Sequence, residues 1–372
     1  MTALIRAELD AAGGWLDFAD YMRLALYAPG LGYYSAGAQK FGPAGDFITA
    51  PELGPAFARC LARALAPVLR ALPNARILEL GAGTGALAAD LLTALVAADA
   101  APAAYDILEV SADLAQRQRR RLAETATGFA GSLSWLDALP DDGFEGVVLA
   151  NEVLDALPVS RFRIANGVPL ALGVGWSDGR FCWLERPATA AQRAVVERLA
   201  ADLPAAQWPE GYCSEYCPGL TSWLAAVTRP LRRGLLLAVD YGLPRREYYH
   251  WQRSAGTLIC HYRHRAHADP FVYPGLQDIS AWVDFTAVAE AAQAAGLQPD
   301  AYGTQAGFLL ANGIADDPDL LAADSPAMAS AAAALRQLLL PGEMGETFKV
   351  FAAGRGLAAG ALDVGRDLSH LL

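Results

Sequence analysis

Residues 79–85 read Glu-Leu-Gly-Ala-Gly-Thr-Gly and join an apolar run at 76–80 to a helical pattern at 86–98. Glycines between a strand and a helix let the backbone approach a ligand closely at the helix N-terminus. The spacing suits a nucleoside and also satisfies the relaxed dinucleotide pattern. Glu79 favours S-adenosylmethionine over a dinucleotide, because a carboxylate opposes a pyrophosphate but attracts a sulfonium and an ammonium group. The candidate cofactor residues in this turn are Glu79, Gly81, Ala82, Gly83 and Gly85.

Strand-like and helix-like patterns alternate around this turn. Short apolar runs predict strands at 76–80, 105–110, 132–136, 146–150, 235–239 and 348–353. Their alternation with helical patterns predicts an α/β fold with a doubly wound, mostly parallel sheet. Residues 159–186 break the rhythm with three short strand-like runs. The pairs Asn166-Gly167 and Asp178-Gly179 separate these runs and are typical of hairpin turns, so an inserted β-meander is predicted.

These patterns divide the chain into five parts. Residues 1–72 hold N-terminal helices and a long loop, and residues 73–158 form the first half of the sheet domain. Residues 159–233 hold the inserted meander and helices. Residues 234–356 form the second half of the sheet domain, with a Tyr/His/Arg-rich insert, and residues 357–372 are a tail.

Composition limits the class of protein. The 372 residues are 54% hydrophobic, so a sizeable core can be buried, and the net charge of −11 argues against nucleic-acid binding by phosphate neutralisation. The five cysteines are scattered, the five histidines show no paired ligand spacing, and no metal site is expected. Apolar stretches are too short to insert in a membrane, and the N-terminal residues resemble neither a signal nor a transit peptide. These features predict a cytoplasmic protein.

Acidic side chains follow the predicted strands, where an open α/β sheet binds its ligands. Glu109, with Val110 beside it, lies at the end of the second strand, where a carboxylate can accept both ribose hydroxyls. Asp137 follows the third strand and is placed to accept from an adenine amino group. An ordinary turn or helix cap is the alternative for Asp137.

Asn151, Glu152 and Asp155 follow the fourth strand. Two carboxylates there could clasp a guanidinium and align one nitrogen with the methyl group to be transferred. The alternative is a capping motif that opens a helix. Asp240 follows the fifth strand at the same edge. We therefore expect Asn151 at the cofactor and Glu152, Asp155 and Asp240 at the reacting groups.

The chain resembles the MidA family, which includes the mitochondrial complex I assembly methyltransferase, along nearly its whole length. The motifs that carry the resemblance are at 27–34, 45–52, 79–85, 109–111, 151–158, 240–242, 256–258, 262–265, 277–279, 283–286 and 305–309. The resemblance implies a class I Rossmann-like methyltransferase with a seven-stranded sheet, an N-terminal helical and loop extension, and S-adenosyl-L-methionine as cofactor. It also implies that the N-terminal loop folds over the cofactor, with Thr49, Pro51 and Glu52 nearby.

The same resemblance implies a protein substrate. It points to symmetric arginine dimethylation of a complex I core subunit. A small-molecule methyltransferase and a cofactor-binding assembly factor with little turnover stay open as alternatives. The partly apolar insert is compatible with a homodimer. Tyr262, Arg263, His264, Arg265 and His267 form a basic cluster that could meet an acidic substrate surface or the methionine carboxylate, or be a solvated loop.

Overall fold

The computed structural model describes residues 1–36, 49–201, 203, 208–321 and 326–372. The strands are β1 (Leu16–Asp17), β2 (Arg76–Leu80), β3 (Ala104–Leu108), β4 (Ser132–Leu136), β5 (Phe144–Asn151), β6 (Ser160–Ala165), β7 (Val168–Ser177), β8 (Arg180–Pro187), β9 (Cys213–Tyr216), β10 (Leu231–Leu243), β11 (Ile259–Tyr262), β12 (Arg265–His267), β13 (Asp278–Ser280), β14 (Val283–Asp284), β15 (Gln298–Thr304) and β16 (Phe348–Arg355). The helices are α1 (Thr2–Ala11), α2 (Phe18–Tyr27), α3 (Ala56–Arg70), α4 (Ala86–Ala97), α5 (Ala112–Thr125), α6 (Ala190–Ala201), α7 (Leu220–Thr228), α8 (Arg245–Tyr248), α9 (Phe285–Ala294), α10 (Gln305–Ala311), α11 (Pro318–Leu321), α12 (Pro326–Leu339) and α13 (Met344–Thr347).

The central sheet confirms the predicted seven-stranded, mostly parallel fold. Its strand order is β15-β16-β10-β5-β2-β3-β4, and the two-residue β14 pairs beside β10. Only β16 runs antiparallel, to β10 on one side and to β15 on the other. Successive residues point to opposite faces, so Ile77 packs into one core and Leu78 into the other. Both faces are thus buried beneath helices, as an α/β sheet requires.

The inserted meander forms a second, antiparallel sheet in the order β1-β7-β6-β9, with β8 on the other side of β7. Both predicted hairpin turns are present, since Asn166, Gly167, Asp178 and Gly179 all have φ between 51° and 77°. A turn whose two central residues both have positive φ has a backbone twist that matches the twist of the two flanking strands.

The N-terminal segment belongs to this second sheet rather than standing alone. Gly13 and Gly14, with φ of 72° and 82°, separate α1 from α2. Strand β1 then pairs with β7. Residues of α2, the meander and the 259–281 insert share one core, in which Tyr21 contacts the rings of Phe181 and Phe271. Three segments far apart in sequence therefore stabilise one another.

The Tyr/His/Arg-rich insert contains a small antiparallel sheet in the order β12-β11-β13. Arg263 and His264 make the turn between β11 and β12, with φ of 49° and 58°. Within the described ranges, no helix is long and apolar enough to cross a membrane.

Candidate active site

A cavity of about 440 Å³ opens at the carboxyl ends of β2, β3 and β5. It lies where an open parallel sheet is expected to bind its ligand. The predicted site residues that line it are Thr49, Pro51, Glu52, Glu79, Gly81, Ala82, Gly83, Glu109, Val110, Asn151, Glu152 and Asp155. The fold thus brings together side chains from the N-terminal segment and from three strand ends.

Residues 81–84 of the glycine loop (residues 81–85) form one wall of the cavity. Gly81, Gly83 and Gly85 have φ of 62°, 53° and 79°, a region that L side chains rarely adopt. Gly85 precedes α4, and a Cβ there would lie 3.2 Å from the Gln118 side chain. The glycines therefore permit both the tight turn and the close packing of α5 behind it.

Gln118 holds this wall together, and sequence reasoning missed it. Its Nε2 donates to the Gly83 carbonyl oxygen at 2.9 Å and to Glu109 Oε2 at 2.8 Å. Its Oε1 accepts from Trp135 Nε1 at 3.0 Å. Gln118 is fully buried on the same face of α5 as Leu114 and Leu122. A polar residue at that apolar helical spacing was the available signal.

Two buried carboxylates stand beside the glycine loop. Glu79 accepts from the Tyr105 hydroxyl at 2.8 Å, and burial raises the pKa of Glu79 to about 7. Glu109 Oε1 accepts from the Ser111 backbone N–H at 2.9 Å. Both side chains are held by hydrogen bonds to other groups of the protein, so they are already ordered before a ligand binds.

The N-terminal segment reaches the glycine loop through Glu52. Thr84 Oγ1 donates to Glu52 Oε1, and Arg121 Nη1 donates to Thr84 Oγ1 at 2.6 Å. Arg121 also lies 3.5 Å from Glu52 Oε1 as an ion pair. Thr49 and Pro51 line the cavity beside it. Residues 45–48 of the predicted covering loop lie outside the described residues.

The opposite wall is the acidic loop (residues 151–158). Glu152 has a φ of 54° and donates its backbone N–H to the Val239 carbonyl oxygen at 2.8 Å. Residues 152–159, all described by the structure, contain no helix, so the alternative of a helix-opening cap is not realised. The loop instead turns tightly and carries Glu152 and Asp155 on the cavity wall.

Asp240 fixes the acidic loop from behind. Its Oδ2 accepts the backbone N–H groups of Val153, Leu154 and Asp155 at 3.1, 2.9 and 3.3 Å. Asp240 is fully buried and does not line the cavity. The structure therefore places the predicted catalytic Asp240 as a support for the loop that carries the other two acids.

Burial and mutual repulsion disfavour ionisation of the acids. Burial, with the Asp155 charge second, raises the pKa of Glu152 to about 8. Burial and the Asp240 charge raise the pKa of Asp155, and burial raises that of Asp240 to about 8. Such a site gains from a bound cation, which favours the charged carboxylates.

Asn151 adds an acceptor to the same wall. Its Nδ2 donates to Glu152 Oε1 at 3.3 Å. Its Oδ1 is buried and has no hydrogen-bond partner in the part of the chain that the structure describes. A buried acceptor of this kind is costly unless a ligand satisfies it.

Three tyrosines frame the acidic loop, and sequence reasoning did not assign them. The Tyr241 hydroxyl donates to Asp155 Oδ2 at 2.5 Å, and the Tyr27 hydroxyl donates to the Ala156 carbonyl oxygen at 2.9 Å. The rings of Tyr27 and Tyr34 stack at 5.6 Å, and both line the cavity. Aromatic faces beside carboxylates suit a delocalised cation.

Gly85 and Asp137, like Asp240, are outside the set of described residues that line the cavity. Asp137 is exposed just past β4. None of the residues of the basic cluster (Tyr262, Arg263, His264, Arg265 and His267) lines the cavity either. Contact of the basic cluster with the methionine carboxylate therefore has no support in the cavity geometry.

Comparisons with known proteins agree on one family. Residues 60–303 match the sequence profile of a family described as "Putative S-adenosyl-L-methionine-dependent methyltransferase". A Burkholderia thailandensis crystal structure with bound S-adenosyl-homocysteine is similar, with 47% sequence identity, a TM-score of 0.91, and coverage of 100% of this chain and 96% of that one.

Curated relatives are more distant but similar over most of their length. The mitochondrial protein arginine methyltransferase NDUFAF7 homolog of Drosophila melanogaster is 29% identical, covering 96% of this chain and 86% of that protein. The mitochondrial protein arginine methyltransferase NDUFAF7 of Mus musculus is 28% identical, covering 91% and 81%.

These relatives correct the predicted location. The prediction of a cytoplasmic protein is contradicted, because the curated relatives are named as mitochondrial proteins.

Proposed function

Since the chain belongs to this family of S-adenosyl-L-methionine-dependent methyltransferases, we propose that it methylates arginine side chains of a protein. One observation carries the proposal: Glu152 and Asp155 line the same cavity as the glycine loop. Two carboxylates can bind a guanidinium through paired, charge-assisted hydrogen bonds. The acidic loop is therefore the proposed guanidinium site.

The residues of the cavity fit S-adenosylmethionine, which supplies an electrophilic methyl group when bound. Glu109 offers carboxylate oxygens for ribose hydroxyls, and the backbone of Gly81 and Gly83 permits close approach. Glu79 and the unpartnered Asn151 Oδ1 suit an ammonium group. Asp137 stays a prediction for the adenine amino group.

Glu152 and Asp155 would orient the guanidinium and balance its charge. Asp155 is held by Tyr241, and Glu152 receives the Ala50 backbone N–H. The raised pKa of Glu152 suits a group that accepts a proton from the nitrogen as it is methylated. Tyr27 and Tyr34 would present ring faces to the cation and keep water away.

The named activity of the curated relatives also supports a protein arginine substrate. A complex I core subunit as substrate, symmetric dimethylation and a homodimer stay predictions that follow from the family resemblance.

Radiolabelled S-adenosylmethionine tests the proposal. The protein is incubated with a cell lysate, and labelled bands are digested and analysed by mass spectrometry. Methylarginine in a protein band is the expected result. Label confined to small molecules would favour the small-molecule alternative. Absence of label with intact cofactor binding would favour an assembly factor with little turnover.

A further inference from the structure

Exposed apolar side chains cluster near the basic hairpin turn. Val272, Tyr273 and Leu276 are exposed to 47%, 41% and 59%, and Leu31 to 46%. Leu31 belongs to the same surface, because a Cβ added at Gly275 would lie 2.6 Å from its carbonyl oxygen. An apolar patch on the surface of a folded protein commonly marks an interaction site.

The hairpin between β11 and β12 extends this patch with positive charge. The rings of Tyr262 and Tyr273 lie 4.5 Å apart, and the Arg263 guanidinium lies 5.3 Å from the centre of the Tyr262 ring. Arg263, His264 and Arg265 are exposed at the turn. We call the combined surface the hairpin face: Leu31, Tyr262, Arg263, Arg265, Tyr273 and Leu276.

The hairpin face connects directly to the wall of the cavity. His261 in β11 pairs with Asp278 in β13, and Asp278 Oδ1 accepts from the Tyr34 hydroxyl at 2.9 Å. Tyr34 lines the cavity. Tyr262 follows His261 at the end of β11, and Arg263 is the first residue of the turn, so Arg263 lies two residues along the chain from this pair. A single extended peptide could therefore contact both the hairpin face and the cavity wall at Tyr34.

Charge identifies the kind of partner. The whole chain carries a net charge of −11, yet the hairpin face presents arginines among apolar groups. A partner segment with acidic and apolar residues would complement both features, and local charge complementarity favours binding even on an acidic protein.

We propose that the hairpin face docks an acidic, apolar segment of the protein substrate next to the arginine that is methylated. This inference rests on the proposed function. The docking contacts would lie outside the cavity, so they raise affinity for the substrate without touching the cofactor.

Synthetic peptides with one central arginine test the docking. The arginine is flanked by alternating Asp and Leu, by Ser and Leu, or by Lys and Leu, and binding is measured by fluorescence anisotropy with S-adenosylhomocysteine present. The Asp–Leu peptide should bind about fivefold tighter than the Ser–Leu peptide, which is the value of one good ion pair. The gain should shrink at high salt.

Arg265→Glu should remove this gain, whereas Arg180→Glu should keep it. The two residues are matched, since each is exposed and begins a strand directly after a two-residue turn. Equal affinity of the unmodified protein for the three peptides, or an equal loss in both variants, would overturn the docking surface. A dimer in sedimentation that Arg265→Glu dissociates would assign the face to a second copy and also overturn it.

A peptide whose arginine is replaced by glutamine separates the two proposals. Suppose that the glutamine peptide binds more tightly with Asp–Leu flanks than with Ser–Leu flanks, while the arginine peptide is never methylated. The docking surface then stands and the proposed arginine methylation fails. If all arginine peptides are methylated equally well, arginine transfer stands and the docking surface fails.

Discussion

The glycine loop and the acidic loop face the same cavity but are held in different ways. The glycine loop is fixed from within its own strand–helix units, with Gln118 only 35 positions from Gly83. The acidic loop depends on Asp240, 86 positions from Leu154, and on Tyr27, 129 positions from Ala156. The glycine loop, on the cofactor side of the cavity, is therefore a nearly local motif. The acidic loop, on the side of the proposed methyl acceptor (the acceptor side), forms only when distant segments of the chain assemble.

Glu152→Gln should give the largest effect and separate the two walls. The amide keeps the size of the side chain but cannot accept a proton or balance a cation, so methyl transfer should fall by about a thousandfold. Binding of S-adenosylhomocysteine, measured by calorimetry, should be unchanged. Glu197→Gln, on an exposed position of α6, is the matched control. Full activity of Glu152→Gln would remove the proposed role of the acidic loop.

Asp240→Ala tests whether the acidic loop depends on its distant support. Four backbone N–H groups, three in the acidic loop and that of Tyr241, would lose their acceptor, so the free energy of unfolding should fall by about 4 kcal/mol. Urea denaturation measures the change. Asp240→Asn, which keeps one acceptor oxygen, should lose less. Equal stability of the alanine variant and the unmodified protein would show that the loop holds itself.

The pH dependence of transfer should follow the acidic loop rather than the glycine loop. The pKa of Glu152 is about 8, and its carboxylate form predominates above that value. The value of kcat/KM should therefore rise by about tenfold per pH unit below pH 8. The residual activity of Glu152→Gln should lack this rise. A rise that persists in the variant would assign the titration to another group.

The same shift has a consequence for stability. Glu152 has an ordinary pKa of 4.5 when the chain is unfolded and about 8 when it is folded, so the unfolded chain loses this proton first. The free energy of unfolding should then fall as pH rises between these two values. The Glu152→Gln variant should lose less stability over that interval, as its melting temperature would show.

Gln118→Ala should give the smallest effect and act on the cofactor side alone. The variant removes hydrogen bonds to the Gly83 carbonyl and to Glu109. S-Adenosylhomocysteine binding should weaken by about tenfold, because two buried acceptors are left without their donor. The difference in the free energy of unfolding between the Asp240→Ala and Asp240→Asn variants should be the same with and without Gln118→Ala. A loss of transfer without weaker cofactor binding would contradict the separation of the two walls.

Sequence reasoning succeeded where a pattern is local. The alternating strands and helices, the glycine spacing and the Asn-Gly and Asp-Gly turns each depend on a few neighbouring residues, and the structure has all of them. The acids at strand ends could be assigned to one edge of the sheet because parallel strands all end there. The β11–β12 hairpin was not predicted, since its Arg263–His264 turn lacks the usual glycine or asparagine.

The sequence by itself determined the sheet, the cofactor and a set of candidate acids, of which Asp137 and Asp240 do not line the cavity. Only the tertiary structure decided that Asp240 supports the acidic loop, that Gln118 ties the glycine loop to Glu109, and that Tyr27, Tyr34 and Tyr241 frame the acceptor side. The reason is physical: propensity and periodicity act between near neighbours, whereas a buried polar group is satisfied by whichever donor the packed chain brings to it.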